Sequence, residues 1–290
     1  MKPAAFCYHR PASVDEALEL LMRFGAEAKI IAGGQSLVPM MNMRLASPAQ
    51  LVDINDLSEL AQLRVRGDRL EVGALARHRS VAASPLVAQH CPLLAQAART
   101  IGHNAIRERG TVGGSLAHAD PAAQHTLVAM TLDARLTLAR KGGQREVDAG
   151  EFLLSAMTTA LEVDEMLLSV SYPRAAAGEV STYRMFNQRH GDYAIVAVAA
   201  TLSIDQGRVG ILRLGVGGAG PMPQRLDALA QAFRGRAASV DWVAEVARAA
   251  RDAVTPEDQP RVPALYRKEL VETLVARALS RCLERSGVPA

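Results

Sequence analysis

The sequence predicts an α+β protein with two domains, and three observations support this. The chain has 290 residues, more than one average domain requires. Short strand patterns alternate with helical patterns up to about residue 173, whereas three strand patterns followed by helical patterns occupy the rest, an order typical of a separate α+β unit. A candidate linker of three alanines, a glycine and a glutamate at 175–179 lies between the two parts. We therefore expect one domain at 1–177 and a second at 178–290.

The first domain begins with a helix flanked by short strands. Ser13 precedes apolar residues at helical spacing, and Gly25 is suited to end that helix. The apolar run 28–32 predicts a strand, and the two glycines at 33–34 predict a turn at its end. The remaining predicted elements of this domain are a strand at 51–54, a β-hairpin at 63–72, a helix from Ser84 to Ile101, a helix from Pro121 to Thr131, a hairpin at 136–147 and a strand from Met166 to Tyr172.

The second domain contains three strand patterns before its helices. A turn at 205–208 joins the last two strands, which predicts an antiparallel hairpin. The predicted strands lie at 182–186, 194–204 and 209–216, and the predicted helices at 225–233, 240–254 and 263 to about 284.

Composition excludes several classes of function. The 33 basic and 30 acidic side chains are scattered and leave a formal net charge of +3, which gives no footprint for nucleic acid. No window approaches the ~20 apolar residues of a membrane-spanning helix. The N-terminus lacks the apolar core of a signal peptide, so we expect a cytoplasmic protein. Cys7, Cys91 and Cys282 are far apart, so the chain alone cannot supply the four cysteines of an iron–sulfur cluster.

Two glycine motifs are the strongest chemical signal in the chain. One occupies 29–37 and the other 109–117, and each lies within hydrophobic sequence. Adjacent glycines at a strand end allow successive backbone N–H groups to point at one anion. The GxGxxG and GxxxxGK[ST] patterns are absent, which disfavours a Rossmann site and a P-loop. A plain turn explains either motif alone, but two together favour a clamp on one anionic ligand.

The residues of both motifs carry a family resemblance. Segments 32–36 and 111–122 closely resemble the FAD-binding medium subunit of the molybdenum hydroxylases, which include carbon monoxide dehydrogenase and the xanthine dehydrogenases. Segments 189–194, 266–270 and 275–279 resemble that family's C-terminal domain. The resemblance implies a two-lobed FAD-binding domain of the vanillyl-alcohol-oxidase (PCMH) type, with lobes at about 1–57 and 58–177. It also implies a C-terminal domain of a three-stranded antiparallel sheet with helices.

The same resemblance implies where FAD binds. The two glycine motifs would hold its pyrophosphate, and Tyr193 would lie against one face of the isoalloxazine ring. No catalytic residue and no metal site is expected in this chain itself. The residues that the resemblance assigns to FAD are Lys29, Ile31, Ala32, Gly33, Gly34, Gln35, Ser36, Leu37, Ile101, Gly102, Thr111, Val112, Gly113, Gly114, Ser115, Gln124, Leu161, Leu167 and Tyr193.

Four positions depart from the family pattern. Gln124 replaces the usual Asp or Glu, and Met185 replaces a frequent lysine near the flavin. A glutamine can still form hydrogen bonds but brings no charge, and a methionine offers only packing. Glu108 replaces an asparagine, and His190 replaces an alanine. These departures bear on the flavin potential and the electron acceptor.

The resemblance also implies the partners. Electrons would pass from a large molybdenum-cofactor subunit through [2Fe-2S] clusters of a small subunit to FAD in this chain, and then to an external acceptor. The expected assembly is a dimer of heterotrimers. Two alternatives remain open: a stand-alone FAD-dependent oxidase or dehydrogenase of the same fold, and a non-redox nucleotide-binding or scaffold protein.

Histidines and arginines near the second motif have weaker interpretations. His118, Asp120 and His125 suggest a metal site, but no HExxH pattern or nearby Cys/His pair supports it. Arg107 or Arg109 could contact a phosphate as a bidentate donor, and a surface salt bridge or subunit contact explains them equally well.

Overall fold

The computed structural model describes residues 2–288, which contain strands and helices throughout. The strands are β1 (Cys7–His9), β2 (Ala28–Ile31), β3 (Gln50–Asp53), β4 (Leu63–Arg66), β5 (Arg69–Gly73), β6 (Arg135–Arg140), β7 (Gly143–Asp148), β8 (Leu153–Ser155), β9 (Thr158–Thr159), β10 (Met166–Pro173), β11 (Val180–Phe186), β12 (Val196–Asp205), β13 (Arg208–Gly217) and β14 (Gln224–Arg225). The helices are α1 (Val14–Phe24), α2 (Leu37–Asn42), α3 (His78–Ala83), α4 (Pro85–His90), α5 (Pro92–Arg99), α6 (Asn104–Arg109), α7 (Val112–His118), α8 (Gln124–Thr131), α9 (Ala149–Phe152), α10 (Asp227–Phe233), α11 (Val240–Ala253) and α12 (Ala264–Arg285).

A small parallel sheet of order β1-β3-β2 begins the fold, and α1 covers it. The Ser13 side chain accepts a hydrogen bond from the Glu16 N–H and caps α1, which confirms the predicted start of the helix. Gly25 ends α1 with a φ of 49°, a conformation that glycine adopts without strain. Leu18 and Leu21 are buried on the inner face of the helix. Strand β2 ends at Ile31, so the glycines of the first motif follow almost directly after the strand.

A five-stranded antiparallel sheet of order β4-β5-β10-β6-β7 follows, and both predicted hairpins are confirmed within it. Its core packs against helices α3, α4, α5, α7 and α8. The predicted continuous helix from Ser84 to Ile101 is wrong, because the chain forms α4 and α5 with a break at Cys91. Pro92 causes the break, since a proline disfavours helical geometry in the residue before it and starts a new helix well. The helix predicted from Pro121 begins only at Gln124.

The second domain is an antiparallel sheet of order β11-β12-β13-β14, in which the two-residue β14 joins the three predicted strands. Side chains of β12 alternate between two cores. Val196, Val198 and their alternate neighbours pack on α11 and α12, whereas Ala197 and Ala199 pack on the core of the first domain. The sheet thus lies between α11 and α12 on one face and the first domain on the other.

Candidate functional site

The first glycine motif connects β2 to α2 and contains a run of unpaired backbone donors. The N–H groups of residues 33 through 37 donate no hydrogen bond within residues 2–288. Gly33 is buried, and the other four residues are half-buried. Gly34 has a φ of +69°, which most side chains would strain to adopt. Because partly buried N–H groups are normally paired, five successive free donors indicate a site for an external acceptor group.

The second glycine motif forms the start of α7, a helix that the sequence pattern did not predict. Thr111 caps it by accepting a hydrogen bond from the Gly114 N–H at 3.1 Å. The N–H of Gly113 donates to the Ala74 carbonyl at 2.9 Å, and that of Val112 donates to the Ala76 carbonyl at 3.0 Å. Several donors of this motif are therefore used within the protein. A Cβ on Gly113 would lie 2.5 Å from the Ala74 Cβ, so this glycine permits close packing rather than donation to a ligand.

The two motifs lie in direct contact with each other. A Cβ on Gly33 would lie 2.3 Å from the Arg109 carbonyl oxygen and 2.8 Å from the Gly110 Cα. Only a glycine at position 33 allows the two backbones to approach this closely. The structure therefore brings together the two segments that the sequence analysis paired as a clamp.

Arg77 and Asn55 hold the two motifs together, and the sequence analysis missed both residues. One Arg77 guanidinium nitrogen donates to the Arg109 carbonyl, and the other donates to the Asn55 side chain at 2.6 Å. The Asn55 amide in turn donates to the Ala32 carbonyl at 2.8 Å. Burial and the neighbouring Arg109 charge lower the pKa of Arg77. A polar residue directly after a predicted strand was the one local signal for Asn55, whereas nothing local marked Arg77.

A buried histidine pair lies behind the second motif. His125 Nε2 and His78 Nδ1 are 3.0 Å apart, and the His125 side chain is fully buried. Burial, followed by the charges of Arg77 and Arg107, lowers the pKa of His78 to about 4. Burial and the neighbouring His78 likewise lower the pKa of His125. The His78 ring occupies the space that a side chain at Gly110 would need, so the pair packs directly against the start of the second motif.

Two of the positions that depart from the family pattern touch each other. The Gln124 side-chain nitrogen lies 3.8 Å from the Met185 sulfur, at the start of α8 and near the end of β11. Gln124 is buried, and Met185 is half-buried. The two departures thus form one uncharged contact between the first and second domains.

Tyr193 of the second domain lies beside the first motif. Partial burial and then the Asp120 charge raise the pKa of the Tyr193 phenol, while the nearby Ser36 side chain lowers it. The Tyr193 side chain nonetheless remains 57% exposed, so one side of it is free to contact a ligand. The structure therefore places Tyr193, Ser36 and Asp120 in one neighbourhood.

The other predicted site residues are more dispersed. Ile101 and Gly102 follow α5, and their carbonyls accept hydrogen bonds from Arg107 at 2.7 and 2.9 Å. Arg107 therefore serves a structural contact here. Leu167 is buried in β10, and Leu161 is half-buried in the connection before that strand. Lys29 is exposed on β2.

The described residues 2–288 contain no group of three or more histidine, cysteine or acidic side chains placed to hold a metal ion. Glu108 forms a surface pair with Arg79 at 2.5 Å. None of the helices in this part of the chain combines the length and the apolar character that a membrane span requires.

Two family descriptions match nearly the whole chain. Residues 4–175 match the FAD binding domain in molybdopterin dehydrogenase, and residues 181–282 match the CO dehydrogenase flavoprotein C-terminal domain.

Relatives of full length are similar in sequence and structure. The chain is 38% identical to the alpha subunit of the 6-hydroxypseudooxynicotine dehydrogenase complex of Paenarthrobacter nicotinovorans, covering 99% of this chain and 97% of that subunit. It is 33% identical to the carbon monoxide dehydrogenase medium chain of Hydrogenophaga pseudoflava, covering 98% and 99%. A solved structure of carbon monoxide dehydrogenase from Hydrogenophaga pseudoflava superposes with a TM-score of 0.94 at 35% identity, covering 98% of this chain and 99% of that one. Quinoline 2-oxidoreductase from Pseudomonas putida 86 gives a TM-score of 0.94 at 32% identity, covering 99% of each chain.

Proposed function

The chain belongs to the family of FAD-binding medium subunits of the molybdenum hydroxylases, and we propose that it binds FAD as the flavoprotein subunit of a heteromeric molybdenum-containing oxidoreductase. In this role electrons pass from a molybdenum site through iron–sulfur clusters in partner subunits to the flavin here, and then to an external acceptor. The observation that carries the proposal is the run of five backbone N–H groups from Gly33 to Leu37 that have no acceptor within residues 2–288.

The residues of the two motifs fit the diphosphate of FAD. A diphosphate offers several acceptor oxygens and negative charge, which matches a run of free N–H donors. The close approach at Gly33 sets the first motif against Gly110, and the Arg77–Asn55 link fixes both. Residues 33–37 would therefore hold the phosphates, with the Ser36 hydroxyl as an additional donor.

The flavin end of the site would be lined by residues from both domains. Tyr193 has an exposed side next to Ser36 and would lie against the isoalloxazine ring. Gln124 and Met185 meet at the domain contact, and neither carries a charge. FAD, when bound, supplies a ring that accepts and releases electrons, and the protein's part is to bind and orient it. The remaining site residues would contact FAD as the resemblance implies, except that the N–H groups of Val112 and Gly113 already donate to Ala76 and Ala74.

The proposed partners are a large molybdenum-cofactor subunit and a small [2Fe-2S] subunit. The relatives support these kinds of partner, since their names describe a subunit of a complex and a medium chain. Cys91 and Cys282 are buried apart from each other, while Cys7 is exposed, so the clusters are assigned to the partners. We further propose a dimer of heterotrimers in the cytoplasm, and a domain boundary at 177/178.

Two experiments test the proposal. The recombinant chain should purify with a flavin absorption spectrum and release about one FAD per chain on denaturation; a protein that remains without flavin after incubation with FAD would refute it. Affinity purification from the native host should recover two further subunits together with molybdenum and iron. Oxidation of a small organic substrate by the isolated chain would instead support the stand-alone enzyme.

A further inference from the structure

A groove rich in arginine lies on the second domain between β11 and α12. We call it the basic groove, and its cavity volume is about 810 Å³. Its charged lining consists of Arg184, Arg277, Arg281, Glu284 and Arg285. Four arginines face one glutamate, so the lining carries three net positive charges.

The arginines come from two elements and meet because of the fold. Arg277, Arg281 and Arg285 follow each other at intervals of four residues on α12, so they lie on one face of the helix. Arg184 projects from β11 toward the same groove. All four side chains are exposed to solvent.

Neighbouring groups neutralise only part of this charge. Arg281 pairs with Glu284 at 2.6 Å, and Arg285 donates to the Ser181 carbonyl at 2.7 Å. The guanidinium groups of Arg184 and Arg277 form no ion pair or hydrogen bond with any group of residues 2–288. The helix dipole favours cations in the last turn of α12, which accounts for Arg285. It does not account for Arg184, which lies on a strand, or for Arg277, two turns earlier.

We propose that the basic groove binds an acidic segment of a protein partner. Guanidinium groups form strong, often bidentate hydrogen bonds with carboxylates, and Arg184 and Arg277 are free to do so. Small-molecule sites enclose most of their ligand, whereas every arginine here is exposed, which suits an extended segment better. The inference rests on the proposed function only in that the partner is taken from the subunits of the same complex.

The groove also adjoins the candidate FAD site. Met185 lines the groove, and its sulfur contacts the Gln124 side chain at 3.8 Å. A segment bound in the groove would therefore pack beside the uncharged contact between the two domains.

The test uses the full-length chain and a fluorescein-labelled hexaglutamate peptide, with binding followed by fluorescence anisotropy at low ionic strength. The double variant Arg184→Gln/Arg277→Gln should bind at least about tenfold more weakly, from the strength of charge-assisted hydrogen bonds. Arg248→Gln is the matched control, because Arg248 is an exposed arginine of α11 outside the groove. It should retain the wild-type affinity, and added salt should weaken binding to the wild type because exposed charges are screened.

Three outcomes would overturn the proposal. These are equal binding of the peptide to the wild type and the double variant, no measurable binding to the wild type, and displacement of the peptide by inorganic pyrophosphate at lower concentration than by unlabelled hexaglutamate. The last result would indicate a small-anion site. FAD content and the thermal unfolding midpoint are measured on every sample. A wild type that holds no FAD would refute the proposed function, whereas a wild type that retains FAD but does not bind the peptide would refute this inference alone.

Discussion

Replacing Gly33 with alanine tests whether the two glycine motifs act as one cofactor clamp. The substitution adds a single methyl group at a position whose backbone φ is not in the left-handed region, so the effect is steric. The new Cβ would lie 2.3 Å from the Arg109 carbonyl oxygen, whereas real Cβ contacts essentially never fall below 3.0 Å. The two backbones must therefore separate by at least 0.7 Å, the difference between these distances.

The cost of this separation can be estimated from overpacking. All three nearest contacts of the new methyl group are with backbone atoms, so no side chain can rotate away to relieve them. Forced rearrangements of this kind cost roughly 1–3 kcal/mol. If this cost falls on the conformation that binds FAD, the Kd for FAD rises about 5-fold to 150-fold.

The assay is titration of apoprotein with FAD, followed by quenching of flavin fluorescence. Gly150→Ala is the matched control, because a Cβ there meets nothing within 4 Å and the same methyl group is added. Circular dichroism and urea unfolding verify that both variants are folded. If Gly33→Ala binds FAD with the same Kd as Gly150→Ala, the close approach of the two motifs is not required for cofactor binding and the clamp hypothesis is wrong.

Three further predictions concern residues that position the candidate site or form the contact between the two domains. Arg77→Met should weaken FAD binding by about tenfold, because it removes the charged hydrogen bonds to Arg109 of the second motif and to Asn55, which holds the first. Arg79→Met, which removes only an exposed ion pair, should change the Kd less than about twofold. Because His78 binds a proton more readily in the unfolded chain, its protonation should lower the free energy of unfolding by roughly 3 kcal/mol between pH 6.5 and 4, and the lowered pKa of His125 acts in the same direction. In urea titrations at both pH values, His78→Gln should reduce this dependence. Gly215→Ala should destabilise the protein by roughly 1–3 kcal/mol in urea unfolding, because its Cβ would lie 2.0 Å from a hydroxyl of α8; unchanged stability would contradict the tight domain contact.

Features encoded within a few residues were predicted well. The turn at Gly33 follows from an apolar run that ends in two glycines, and the cap of α1 follows from Ser13 before a helical pattern. The break at Cys91 had a local signal as well, in Pro92, but the apolar spacing on both sides suggested one helix. Local patterns therefore located the motifs correctly, with errors where two short helices share one buried face.

Features that depend on contacts between residues far apart in the sequence could not be predicted from local patterns. Two adjacent glycines weaken helix propensity, so α7 was interpreted as a loop, yet Val112 and Leu116 are buried and stabilise the helix through packing. The N–H of Gly113 was expected to face a ligand but bonds to Ala74, which lies far away in sequence. The Arg77 link is equally long-range. The physical reason is the same in each case, since the partner that decides the role is supplied only by the fold.

The position of Tyr193 shows how the second domain contributes to a site that the first domain largely forms. Tyr193 precedes β12, whose alternate residues must face two different cores. A shift of one residue in the pairing of β12 would turn Val198 toward the first domain and Ala197 toward α11 and α12, leaving one core overfilled and the other with a void. Packing on both faces thus fixes the register of β12. That register in turn sets where the chain enters the sheet, and so holds Tyr193 beside Ser36.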